Sequence, residues 1–112
     1  MEEIKIKVDV KPLTVNQAWQ GRHYRTPRYN AWRKEVEYLL PKRPQVKGEV
    51  EVTLNFFIKH YTTTDIDNLA KPLLDSLVNR QYIEDDRKIK RLIMEKYKSK
   101  LEFIVIYIKP YE

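Results

Sequence analysis

Val50 to Asn79 reads V-E-V-T-L-N-F-F-I-K-H-Y-T-T-T-D-I-D-N-L-A-K-P-L-L-D-S-L-V-N, and the spacing of its apolar residues changes halfway. Val50, Val52, Leu54, Phe56 and Ile58 alternate with Glu51, Thr53 and Asn55, the period of a strand with one buried face. From Leu69 onward the period becomes helical: Leu69, Leu73 and Leu77 form one row, with Leu74 and Val78 beside it. A strand running into an amphipathic helix predicts a sheet with helices packed on it.

The flanking segments extend that reading. Ile4, Ile6, Val8 and Val10 alternate with charged residues, as in a strand. Pro12 to Gly21 reads as a loop. Thr26-Pro27 is a helix start, followed by Tyr29, Trp32, Val36 and Leu39/Leu40 at helical spacing until Pro41 stops the helix. Ile89 to Tyr97 reads as a strand and Lys98-Ser99-Lys100 as a turn. Leu101 to Ile108 is apolar on both faces, which suits a central strand or one covered at an interface. The expectation is a single α+β domain over residues 1–112, in the order β-α-β-α-β-β. It has a mixed sheet, a helix-containing first crossover that permits parallel pairing, and a terminal hairpin.

With 112 residues the chain can bury one modest core. The absence of cysteine excludes disulfides and thiolate metal sites. No apolar run is long enough to span a membrane, and the charged, alternating N-terminus is unlike a signal peptide, so a cytoplasmic protein is expected. The net charge of +6 favours a polyanionic partner. No acid lies between Asp9 and Glu35. That window carries Arg22, Arg25, Arg28, Arg33 and Lys34 with Trp19, Tyr24, Tyr29 and Trp32 interleaved. Cations neutralise phosphates and aromatic faces stack on bases, which points to DNA. Tyr29 and Trp32 sit at core positions of a helix, whereas Trp19 in its loop is the better DNA contact.

Against this basic background the acids concentrate at Asp65/Asp67 and at Glu84-Asp85-Asp86. Asp65 and Asp67 lie between strand and helix, where residues two apart point the same way. An Asp before a helix is most often a cap, but capping needs only one of them. Two close carboxylates repel, and one resists ionising unless a cation sits between them. Pro72 would remove an early backbone donor from a helix beginning at Asp67, so its first turn is expected to be irregular. Asn68, Lys71 and Asp75 occupy the helix face opposite the leucines, and Asp75 is placed to pair with Lys71 at i+4. Glu84-Asp85-Asp86 alone suits a solvated loop. If the chain returns antiparallel, the triplet adds oxygen ligands. Carboxylates with a lysine and no Cys or His nearby suit a magnesium phosphodiester site rather than zinc.

The ordered set Asp65-Ile66-Asp67-Asn68, Lys71, Leu73-Leu74-Asp75-Ser76-Leu77 and Glu84-Asp85-Asp86 resembles the RusA family of Holliday junction resolvases. That family carries D-x-D-N, a lysine four residues beyond the second Asp, an L-L-D-A-L-like helix and a paired acid after it. Pro12-Leu13-Thr14-Val15-Asn16 is similar to the family's P-P-S-x-N segment, with Leu13 in place of the second proline. The connector Tyr61–Thr64 lacks the cation that some members carry there. The likeness runs through nearly the whole chain.

The resemblance implies a metal-dependent crossover junction endodeoxyribonuclease of recombination and repair. Its catalytic residues would be Asp65, Asp67, Lys71 and Asp86. Asp65, Asp67 and Asp86 would coordinate Mg²⁺, for which Mn²⁺ can substitute, with Asp85 as a supporting acid. It also implies a homodimer on four-way junction DNA, whose two-fold symmetry it would match. Asn16, Trp19, Arg22, Arg25 and Arg28 are the candidate DNA contacts. Two other readings stay open: a broader flap or fork nuclease, and a non-catalytic DNA-binding module.

Overall fold

The computed structural model describes residues 3–14, 19–20 and 24–111, with the backbone alone at 19, 20, 24 and 25. Four strands form one mixed sheet: β1 Ile4–Val8, β4 Val50–Ile58, β5 Ile89–Lys98 and β6 Phe103–Pro110, in spatial order β1-β6-β4-β5. Two helices accompany them, α1 Pro27–Leu39 and α2 Ala70–Asn79. The mixed α+β architecture is the one expected. A two-residue ribbon, β2 Trp19–Gln20 with β3 Tyr24–Arg25, is added in a segment read as loop and its sequel.

Strand pairing differs from expectation in two places. β5 and β6 do not form a hairpin; both pair with β4, β5 parallel and β6 antiparallel. The turn between them crosses the end of β4, where the Ser99 N–H donates to the Ile58 carbonyl (2.9 Å). β1 is antiparallel to β6, so the parallel pair is β4 and β5, and its crossover is α2 rather than α1. Burial explains the order. Ile104, Ile106 and Ile108 are fully buried, and Val105 and Tyr107 on the other face are half-buried. Such a strand gains most in the middle of a sheet, whereas β5, with Lys90, Arg91 and Lys98 exposed, suits an edge.

One face of the sheet is covered. Val52, Leu54 and Phe56 of β4 and Ile104, Ile106 and Ile108 of β6 pack with Tyr29 and Val36 of α1 and Leu73 and Leu77 of α2, all fully buried. Burying a side chain of this kind contributes about 1.5–3 kcal/mol, so the leucine row fixes α2 firmly to the sheet. Thr26 caps α1 by accepting from the Tyr29 N–H (3.1 Å), and Pro27 opens its first turn, as the sequence predicts. The Trp32 indole N–H donates to the Lys11 carbonyl (2.7 Å), tying α1 to the chain that follows β1. No helix among the described residues is long and apolar enough to cross a membrane.

Candidate active site

The chain leaves β4 at Ile58 and makes two short 3-10 turns, Tyr61–Thr63 and Ile66–Leu69, before α2 begins at Ala70. The irregular start has the cause the sequence suggests. With α2 beginning at Ala70, Pro72 falls among the first residues, whose amides have no partner within a helix, so its missing N–H costs nothing. Asp65 stands at the N-cap position of the second turn yet makes no side-chain cap bond, and α2 itself is preceded by Leu69. Capping therefore accounts for neither carboxylate. Asp65 and Asp67 are both exposed, and neither has a hydrogen-bond or ion-pair partner among the described residues.

One turn on, Lys71 projects from the solvent side of α2. Its ammonium lies 2.9 Å from Asp75 Oδ1 and 3.4 Å from Asp86 Oδ2. The i+4 pairing with Asp75 is as expected, and the bond to Asp86 joins the second acidic spot to the helix. The Asp75 hydrogen bond raises the Lys71 pKa most, partial burial opposes it, and the charges of Asp75 and Asp86 add to the rise. Lys71 is thus a fixed cation at neutral pH and cannot act as a general base there. Asp75 is held from behind: the buried Tyr29 donates its hydroxyl to Asp75 Oδ2 (3.2 Å). Sequence periodicity identified Tyr29 as core, which it is, but gave no sign of its polar end.

Asp86 reaches Lys71 because of how α2 ends. Gln81 adopts a left-handed conformation (φ 65°). The Tyr82 N–H donates to the Leu77 carbonyl (2.9 Å) and the Gln81 N–H to the Val78 carbonyl (3.0 Å). This is the Schellman arrangement, which usually employs glycine. The chain then reverses and is stitched to the loop after α1. Val46 donates to the Tyr82 carbonyl (3.0 Å), Gly48 donates to Glu84 Oε1 (2.6 Å), and the buried Tyr82 donates its hydroxyl to Pro41. Asp85 caps the turn Asp86–Lys88 by accepting from the Arg87 N–H (3.0 Å), which, with Asp86 beside it, lowers its pKa. Of the triplet, Glu84 and Asp85 serve the backbone, and Asp86 faces Lys71.

Arg33, Lys71, Asp75, Asn79, Asp85 and Asp86 line a cleft of about 310 Å³. Asp65 and Asp67 stand on the turn leading into Lys71. Among the described residues no three acidic or imidazole groups converge closely enough to form a metal cage. The donor set nevertheless fits a magnesium ion. It consists of carboxylate oxygens, two of the carboxylates lack a partner, and Mg²⁺ is usually held by one or two carboxylates together with waters and substrate phosphate.

The proposed DNA contacts are seen unequally. Arg28 is exposed near the start of α1. Asn16 and Arg22 lie outside the described residues, as do the side chains of Trp19 and Arg25, whose backbones pair across β2 and β3. Arg33, read in the sequence only as one cation of the basic window, lines the cleft while pairing with Glu37 (2.7 Å). Sequence reading missed Lys96, whose ammonium bonds the Tyr61 and Thr64 carbonyls ahead of Asp65.

The family model for Endodeoxyribonuclease RusA matches residues 5–109. The crossover junction endodeoxyribonuclease RusA of Aquifex aeolicus (strain VF5) is 25% identical over 122 residues, covering 100% of this chain and 95% of that protein.

Proposed function

The chain belongs to the RusA family of endodeoxyribonucleases, and on that premise we propose that it resolves four-way DNA junctions in recombination and repair, with Asp65, Asp67, Lys71 and Asp86 as its catalytic groups. The observation that carries the assignment is Lys71. It is an ammonium braced by Asp75 and Asp86, one turn beyond two exposed carboxylates that have no partner among the described residues.

In this reading Asp65 and Asp67 would hold Mg²⁺, with Asp86 completing the set and Asp85 supporting it. When bound, the ion supplies Lewis-acid stabilisation of charge on the phosphate. Lys71 would pair with the negative charge that develops on the phosphate oxygens as the phosphodiester bond breaks. Asp75 keeps the ammonium oriented, and Tyr29 keeps Asp75 in place. The basic residues from Arg22 to Arg28 would hold the DNA backbone, so affinity should fall steeply with salt. Such a reaction belongs in the cytoplasm, with the DNA.

Paired cleavage calls for two sites, and a homodimer would supply them. The face of the sheet away from the helices supports this reading. Across it Lys7, Val105, Asn55 and Glu95 form one row, and Lys5, Tyr107, Thr53 and Ile93 the next. Phe57 stacks with Tyr97 and Phe103 at its end, at centroid distances of 4.8 and 4.3 Å. Lys5 and Lys7 line the β1 edge of this face; on the β5 edge Glu95 stands on the same face as Arg91, which pairs with Glu51 (3.6 Å). A two-fold axis along the strands would set Lys7 of one copy opposite Glu95 of the other. Monomers at micromolar concentration in sedimentation velocity would rule this dimer out.

The functional test is cleavage of a synthetic four-way junction in Mg²⁺ beside a fork, a flap and plain duplex. Asp67→Asn should lose cleavage by about 10²–10³-fold, since a metal contributes several kcal/mol and each 1.4 kcal/mol is tenfold. Junction binding should persist. Equal cleavage by variant and wild type would remove the site assignment, and equal cutting of forks and flaps would favour the broader nuclease. Binding without any cleavage would favour a DNA-binding module.

A further inference from the structure

In the segment that presents Asp65 and Asp67, Ile66 packs against the core and Leu69 is buried, but none of the residues in its first turn, Tyr61–Thr63, is buried. Hydrogen bonds hold that first turn. Thr64 donates its hydroxyl to the His60 carbonyl (2.8 Å), and the Asn68 N–H donates to the Asp65 carbonyl (3.2 Å). The remaining restraint comes from across the sheet. Lys96 of β5 donates from Nζ to the Tyr61 carbonyl (2.6 Å) and the Thr64 carbonyl (2.9 Å), and its ammonium lies 4.5 Å from the centre of the Tyr61 ring.

We propose that Lys96 is a positioning residue that sets the metal affinity of Asp65 and Asp67 by clamping the Tyr61–Thr64 connector to β5; this rests on the reading of those two carboxylates as metal ligands. The lysine has the needed chemistry. A chain of four methylenes reaches from the strand to the connector, and three N–H donors serve two carbonyls at once. On a connector anchored only from Ile66 onward, the aspartates would have to be ordered in part by the ion itself, and that ordering would be subtracted from the binding free energy. With the connector fixed beforehand, both carboxylates are already positioned. Lys96 is bound to carbonyl oxygens and an aromatic face rather than to an acid, so its bonds define a backbone geometry.

The test uses the free protein without DNA, titrated with Mn²⁺ and followed by electron paramagnetic resonance of the unbound ion, with amide hydrogen exchange of residues 61–68 measured in parallel. Supporting partners behind metal ligands typically alter affinity by about 10–100-fold. Lys96→Met should therefore weaken Mn²⁺ binding roughly tenfold and speed exchange of the Asn68 amide. Lys96→Arg, which keeps two donors, should recover most of the affinity. Lys96→Gln, with an amide that can serve one carbonyl, should lie between and decides the matter if the methionine variant fails to fold. Unchanged Mn²⁺ affinity in Lys96→Gln overturns the proposal, as does weakened junction binding with unchanged metal affinity, which would make Lys96 a DNA contact. Asp67→Asn in the same titration separates the two claims. If it binds Mn²⁺ as wild type does, the ligand assignment itself has failed. If it loses binding while the Lys96 variants do not, only the clamp has failed.

Discussion

The two acidic spots of this chain are alike in composition and opposite in circumstance. Asp75, Asp85, Asp86 and Glu84 are each matched within the chain, by Lys71, by the Arg87 N–H or by the Gly48 N–H. Asp65 and Asp67 are held by a braced backbone, but their side chains have no partner among the described residues. The difference separates two uses of a carboxylate. The first set neutralises a cation and fixes a chain reversal; the second is presented at the surface and left available.

Substitutions can break that contrast at graded cost. Asp67→Asn, in the available set, should have the largest effect on cleavage. Lys71→Met should reduce cleavage by about 10²-fold, the usual loss when a donor to a developing charge is removed. Mn²⁺ affinity of the free protein should largely remain, because Asp86 is the one proposed ligand that Lys71 touches, and its removal frees that carboxylate. Loss of metal affinity in this variant would mean that Lys71 is needed to hold Asp86 in the metal set.

Asp75→Asn tests the matched set and should cost about tenfold, within the range for groups that orient others. It also predicts a direction in pH. Asp75 is the largest cause of the raised Lys71 pKa. A raised pKa makes the contribution of the ion pair complete below the unfolded value and lost as pH rises through the folded one. Wild-type cleavage should therefore fall only at strongly alkaline pH, and the alkaline limb should move to lower pH in Asp75→Asn. An unmoved limb would detach Lys71 from the profile.

The smallest expected effect lies at the reversal itself. Gln81 is a non-glycine residue at a left-handed position, a conformation that costs about 1–2 kcal/mol outside glycine. Gln81→Gly should stabilise the protein by about 1 kcal/mol in urea unfolding, with cleavage nearly unchanged. A large change in activity would mean that the placement of Asp86 depends on strain at the helix end.

These features were unequally legible in the sequence. The change of period between Ile58 and Leu69 marked a strand and a helix, and the aspartates between them were visible as a motif. The reversal after α2 was hidden because Gln81 stands where glycine would have signalled it. The β4–β5 pairing was hidden because a turn such as Lys98-Ser99-Lys100 suggests a hairpin, whereas β6 has two apolar faces to cover and takes the place beside β4. Tyr29 and Lys96 were assigned by burial pattern or left unassigned, since periodicity reports which face a residue occupies and not what its polar end meets.

Local interactions are written in the sequence, so it determined by itself the two helices and the four long strands, the core faces, the Thr26 cap, the irregular start of α2 and the pairing of Lys71 with Asp75. Strand order, the contact of Asp86 with Lys71 and the hold of Lys96 on the connector were decided only by the tertiary structure. Each of these joins residues at least fifteen positions apart, and such contacts form only when the whole chain has chosen which surfaces to bury.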